Sequence, residues 1–129
     1  MTWEMREGES RELLALPAED RSINFFQLVV DWEEAWGLKD VMGWVVARET
    51  DALPLWPHPG LAEACARGPW EGAVPQPVPL DELLVDLLPL LAGDRMRVAV
   101  FPSPDDPGLL LDPEEFGERL ERELQIGGE

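Results

Sequence analysis

The chain is poor in the side chains from which most catalytic and metal sites are built. It has one histidine and one cysteine, and 10 basic side chains stand against 27 acidic ones. A single cysteine excludes an internal disulfide, and a single histidine excludes a histidine-rich metal site. The formal net charge of −17 argues against nucleic acid as a ligand, because binding it requires cations that neutralise phosphates. We therefore expect no metal, no cofactor and no nucleic-acid partner.

Long hydrophobic runs are also missing. No apolar stretch reaches the length of a membrane span, and the acidic first residues lack the basic and apolar regions of a secretory signal. We therefore expect a cytoplasmic protein without a membrane partner. Hydrophobic residues still make up 45% of the 129 residues, enough to bury the core of one domain. The expected division is an N-terminal extension, residues 1–18, and a single domain, residues 19–129.

Hydrophobic periodicity predicts helices that alternate with antiparallel pairs of strands. Two hairpins are expected, one over residues 43–57 and one that joins residues 97–101 to residues 109–111. The predicted class is α+β, a single domain in which one mixed, mostly antiparallel sheet of about five strands packs with three to four helices. A short helix is expected within the extension, over residues 10–16. The four helices that follow are expected over residues 18–35, 59–68, 81–88 (or further if Pro89 only kinks the helix) and 113–126.

Glycine and proline positions predict where several of these elements end. Gly37 is expected to end the long helix of residues 18–35. Pro54 places its strand at a sheet edge or a bulge, because proline cannot donate to the ladder. Prolines at every second position of residues 74–80 favour an extended or edge conformation. Pro89 is expected to kink or end the helix that follows.

Two short motifs stand out, Leu-Pro-Leu-Trp-Pro at residues 53–57 and Val-Ala-Val-Phe-Pro at residues 98–102. Trp36-Gly37-Leu38, Gly43-Trp44 and Pro79-Leu80-Asp81 accompany them along the chain. In this order the motifs resemble the DUF2750 family of small bacterial proteins, over roughly residues 20–125. The resemblance implies a small cytoplasmic bacterial protein of unknown function, and it supplies no catalytic or binding residues.

The single histidine and the single cysteine are the obvious catalytic candidates. His58, between two prolines, could act as a general base or as one ligand, although a histidine at a helix start is commonly structural. Cys65 could serve as a nucleophile only if a base lay within hydrogen-bond reach. Its place on the apolar face of an alanine-rich segment predicts an inert thiol instead. We assign no catalytic residue.

The six tryptophans are the more informative feature. Large rings commonly cover a small sheet and find partners for their N–H groups. The alternative is a shallow aromatic recognition surface, since tryptophan and arginine anchor many interfaces. In that case Trp56, His58, Arg67 and Trp70 form the predicted site for a partner or ligand.

Charge is the other informative feature. Residues 105–129 carry nine acidic side chains and two arginines, a net charge of −7. Such runs are usually a solvated face, but a strong negative field also steers a basic partner toward the protein. We expect a non-enzymatic binding module for a basic protein, of the antitoxin, immunity-protein or adaptor kind. The competing hypothesis is a small ligand-binding protein or enzyme that uses His58 beside a tryptophan-walled pocket. A third is self-association through residues 74–80.

Overall fold

The computed structural model describes residues 4–127 and confirms the α+β class. Residues 1–3 of the expected extension and residues 128–129 of the expected domain lie outside the described part. The helices are α1 (Glu9–Leu14), α2 (Ala18–Trp32), α3 (Pro59–Ala64), α4 (Leu80–Glu82), α5 (Leu88–Gly93) and α6 (Pro113–Gly127), with a 3₁₀ turn at Gly68–Trp70 and a π-helical turn at Leu83–Leu87. The strands are β1 (Glu34–Asp40), β2 (Gly43–Trp44), β3 (Ala52–Leu55), β4 (Val74–Pro79), β5 (Arg97–Val100) and β6 (Leu109–Leu111).

The strands form two three-stranded sheets rather than the single sheet expected. The first has the order β2–β1–β4 and is antiparallel throughout. In the second, β3–β5–β6, β3 runs parallel to β5 and β6 runs antiparallel to it. A bridge between Trp36 and Trp56 joins the sheets, and their N–H groups donate to each other's carbonyl oxygens at 2.8 and 2.7 Å. The end of β3 is thereby fixed against the middle of β1.

The long helix α2 ends earlier than its sequence predicts. It stops at Trp32, because Glu33 has a φ of 56° and reverses the chain, and β1 begins directly afterwards. Gly37 therefore lies inside a strand, and its prediction as a helix end was wrong. A Cβ at Gly37 would lie 2.7 Å from Cζ3 of Trp44, so the glycine leaves room for the indole ring. Pairing of residues 34–39 of β1 with β4 overrides the local helix propensity.

The two predicted hairpins have different outcomes. The second is confirmed, with β5 at the centre of its sheet and β6 paired back to it. The first was wrong, because β2 pairs back to β1 across the Val41-Met42 turn, and β3 belongs to the other sheet. The link within residues 43–57 is an isolated bridge from Ala47 to Ala52. Strand β3, which contains Pro54, lies at a sheet edge as predicted.

Strand β4 is an edge strand, as its prolines predict. The N–H of Leu80 donates to the Glu33 oxygen at 2.9 Å, so the even-numbered residues of this strand direct their N–H groups toward β1. Pro75, Pro77 and Pro79 occupy the odd positions and offer no N–H to the open edge. An edge without these donors disfavours a further strand, which argues against self-association through residues 74–80.

The core between the helices is aromatic. Phe25 and Phe26 on α2 meet Phe116 on α6, with ring centroids 5.8 and 5.1 Å from that of Phe116. Arg119 lies over the Phe26 ring, 4.9 Å from its centroid. This cation–π contact adds a further link between α6 and α2. No helix within residues 4–127 has both the length and the hydropathy needed to cross a bilayer.

Candidate functional site

Trp56 is part of the core rather than of the surface. Its side chain is 0% exposed, and its indole Nε1–H donates to the Pro102 carbonyl oxygen at 2.9 Å. The ring of Trp70 meets it edge-on, with centroids 6.2 Å apart and an interplanar angle of 82°. The structure therefore brings Trp56 and Trp70 together, but only the half-buried Trp70 can touch a partner.

His58 caps the first turn of α3. Its backbone is extended, with φ −149° and ψ 142°, and its Nδ1 accepts from the N–H of Gly60 at 2.9 Å, while Pro59 follows inside the helix. This geometry needs Nδ1 unprotonated, so the ring nitrogen serves as an acceptor for an otherwise unsatisfied helix N–H. Met5 packs against this first turn of α3, because a Cβ added at Gly60 would lie 2.7 Å from the Cε of Met5.

Arg67 is exposed and precedes the 3₁₀ turn that carries Trp70. Its carbonyl oxygen accepts from the Trp70 N–H at 3.1 Å. Of the four predicted recognition residues, His58, Arg67 and Trp70 are at least partly exposed, whereas Trp56 is buried and contacts Trp70 from the core. The recognition role of these residues stays a prediction.

The thiol of Cys65 has low reactivity. Burial raises the pKa of its thiol from 9.0 to about 11, against smaller lowering effects of a Trp56 hydrogen bond and the charges of Arg21 and Arg67. Its Sγ lies 3.5 Å from the Pro102 oxygen, close enough to donate to it. Since the thiolate is the nucleophilic form, Cys65 is a poor nucleophile at neutral pH.

Arg21 is the buried charge that the sequence did not reveal. It is 2% exposed, and its guanidinium donates to the carbonyl oxygens of Leu16 and Phe101 and to Oδ1 of Asp106, the last two at 2.8 and 2.9 Å. The same carboxylate accepts from Gly108 N–H at 2.7 Å. Arg21 thus fastens α2 to the loop after β5. An arginine in the first turn of an otherwise amphipathic helix is the signal that could have indicated this role.

The acidic loop around Asp105 holds no metal-type cluster. Asp106 is engaged by Arg21 and Gly108, and no group of three or more histidine, cysteine or acidic side chains within residues 4–127 is arranged to hold an ion.

Two shallow grooves are among those that residues 4–127 form on the surface. One, of about 130 Å³, lies between α2 and α6 and is lined by Ile23, Phe26, Arg119, Arg122, Glu123 and Ile126. The other, of about 180 Å³, lies between the first sheet and the helical segment 80–93. We call it the acidic groove, and its lining is Trp44, Val78, Glu82, Asp86, Leu87 and Leu90. Both are smaller than the roughly 300–1,000 Å³ typical of pockets that enclose a small molecule. Neither includes a residue of the predicted recognition site.

The two motifs at residues 53–57 and 98–102 meet in the core. Strand β3 pairs in parallel with β5, and the N–H of Phe101 continues the pairing by donating to the Leu55 oxygen at 2.8 Å. Pro102 then accepts from Trp56. A family model for a protein of unknown function, DUF2750, matches residues 23–120. The chain belongs to the DUF2750 family.

Neither a curated protein nor a solved structure matches this DUF2750 chain. The matched range contains the predicted recognition residues and the whole acidic groove, whereas α1 lies before it. The two motifs at residues 53–57 and 98–102 lie within the matched range and contribute to the core, because Trp56 and Phe101 are fully buried.

Proposed function

We propose that this DUF2750 protein is a non-enzymatic binding module that captures a basic protein partner. The observation that carries the proposal is the surplus of carboxylates over the protein's own cations. The net charge is −17, and the arginine–carboxylate contacts within 4 Å among residues 4–127 are limited to Arg6 with Glu9 and Glu12 and Arg21 with Asp106. Carboxylates outnumber lysines and arginines by 27 to 10, so the net negative field acts on solvent ions or on a partner.

A field of this size has two physical consequences. It destabilises the compact state through self-repulsion, and it accelerates the capture of a cation-rich protein. When a basic partner binds, its positive charges offset this repulsion. Association therefore also stabilises the folded state. A basic toxin held by its antitoxin or immunity protein, or a basic protein held by an adaptor, has the required chemistry.

The states of the two catalytic candidates favour binding over catalysis. Cys65 keeps its proton at neutral pH because it is buried, and Nδ1 of His58 is engaged by a backbone N–H. A cytoplasmic site of action suits the free thiol of Cys65.

Capture from extracts of the native host at low and at high NaCl tests this function. The immobilised chain should retain a basic protein at low salt and release it at high salt, and the purified protein should bind again on its own. A neutral protein of similar size, immobilised in the same way, is the control. Retention of no basic protein, or binding that is indifferent to salt, would refute the proposal.

A further inference from the structure

We propose that the acidic groove is the docking site for a basic and partly apolar segment of the partner. This inference rests on the proposed function and adds the place and the chemistry of the contact.

The floor of the groove is apolar. Trp44 is paired with Lys39, and Val78 with Ala35, so both side chains lie on the same face of the first sheet. Leu87 and Leu90 approach them from the helical segment. Leu90 is 57% exposed. Burial of these side chains by an aliphatic partner would be favourable.

The rim of the groove is negative. Glu82 and Asp86 are exposed, belong to consecutive turns of the helical segment, and no basic residue lines the groove with them. Lys39 places its Nζ 4.8 Å from the centroid of the Trp44 ring, so its single charge offsets at most one of the two rim carboxylates. Two carboxylates beside an apolar floor match a lysine or arginine side chain, whose stem is apolar and whose end is charged.

The helix beside the groove is locally widened. Leu83–Leu87 form a π-helical turn in which the Leu88 N–H donates to the Leu83 oxygen, and Pro89 follows with no N–H to donate. Pro89 therefore does not end the helix, and the wide turn accommodates it. Turns of this kind occur frequently at binding sites. The groove's volume of about 180 Å³ suits one or two side chains of a protein segment rather than an enclosed metabolite.

The test uses the full chain and a labelled synthetic peptide in which lysine and leucine alternate. A peptide of alternating lysine and serine has the same charge without the apolar side chains. Binding is measured by fluorescence anisotropy at low salt, and the contact is mapped by NMR through the Trp44 indole N–H. We expect the lysine–leucine peptide to bind more tightly and to shift the Trp44 signal.

Matched variants separate the groove from the general field. Glu82→Gln with Asp86→Asn removes two charges from the rim, and Asp105→Asn with Glu121→Gln removes two exposed charges outside it. We expect the rim pair to weaken binding about tenfold and the control pair by less than about threefold. Leu90→Ser should also weaken binding, whereas Ile126→Ser, at a side chain of similar exposure on α6, should not. Thermal melts verify that each variant is folded.

The outcomes distinguish the two proposals. Equal loss in the rim and control pairs, or equal binding of both lysine peptides, would overturn the groove as the docking site while capture of basic partners stands. Failure of both lysine peptides to bind at low salt would overturn the proposed function together with the groove.

Discussion

Raising the pH above 9 should destabilise this protein through one buried thiol. Cys65 is 5% exposed, and burial raises its pKa from 9.0 to about 11. The folded protein therefore keeps this proton at a pH where the unfolded chain has lost it. Stability is intact below pH 9 and falls as the pH approaches 11. Two pH units correspond to about 3 kcal/mol in the free energy of unfolding.

The composition makes this titration easy to isolate. The chain has no tyrosine, and Lys39 is its only lysine, so few other side chains titrate in the same range. Urea unfolding followed by circular dichroism, at a series of pH values across this range, gives the free energy directly. Cys65→Ala should flatten the pH dependence, and Lys39→Arg should leave it in place. An equal loss of stability with pH in the wild type and in Cys65→Ala would refute this reasoning. So would a native thiol that reacts with a thiol-labelling reagent at neutral pH as fast as the thiol of the urea-unfolded chain.

Further variants test the other structural assignments through the free energy of unfolding. His58→Ala should cost about 1 kcal/mol through loss of the cap of α3, and His58→Asn, which restores an acceptor, should cost much less; equal losses would contradict the cap. Trp56→Phe removes the hydrogen bond to the Pro102 oxygen and should cost about 3 kcal/mol. Trp36→Phe should cost clearly less, because the Trp36 Nε1–H is buried without a partner; the reverse order would contradict the hydrogen-bond assignment. Arg21→Met should lower the free energy of unfolding by about 3 kcal/mol, because it leaves two carbonyl oxygens unpaired. Asp106 adds little to this cost, since its side chain is 45% exposed and can turn to water. A cost under about 1 kcal/mol would show that the arginine is dispensable. The melting temperature should rise when NaCl is added at low ionic strength, because salt screens self-repulsion; an unchanged value would mean that the net charge does not strain the fold.

Local signals predicted the elements whose own residues decide them. The capping pattern at Asp112-Pro113 placed the start of α6, and the apolar run at residues 97–101 placed the central strand of the second sheet. The alternating prolines of residues 74–80 placed an edge strand. In each case backbone chemistry or side-chain periodicity leaves few alternatives.

Signals that depend on distant partners were misread. Glu33 and the residues after it favour helix locally, but pairing with β4 makes them a strand. The first hairpin was placed too late because its turn, Val41-Met42, lacks the usual glycine pair; Asp40 Oδ1 closes it by accepting from the Met42 N–H at 2.8 Å.

The candidate site shows the same division. The composition indicated an acidic exterior, and the number of tryptophans suggested an aromatic cluster that includes Trp56 and Trp70. Which ring is buried depends on the Pro102 oxygen, which is distant in sequence. The acidic groove could not be foreseen, because it joins Trp44 to a helical segment some 40 residues further along the chain.

The affinity of the lysine–leucine peptide at increasing NaCl concentration tests the central claim most directly. If the negative exterior captures basic partners, the logarithm of the affinity should fall steadily with the logarithm of the salt concentration, and the slope should be shallower in the Glu82→Gln, Asp86→Asn variant. An affinity that stays constant across the salt series would contradict the account.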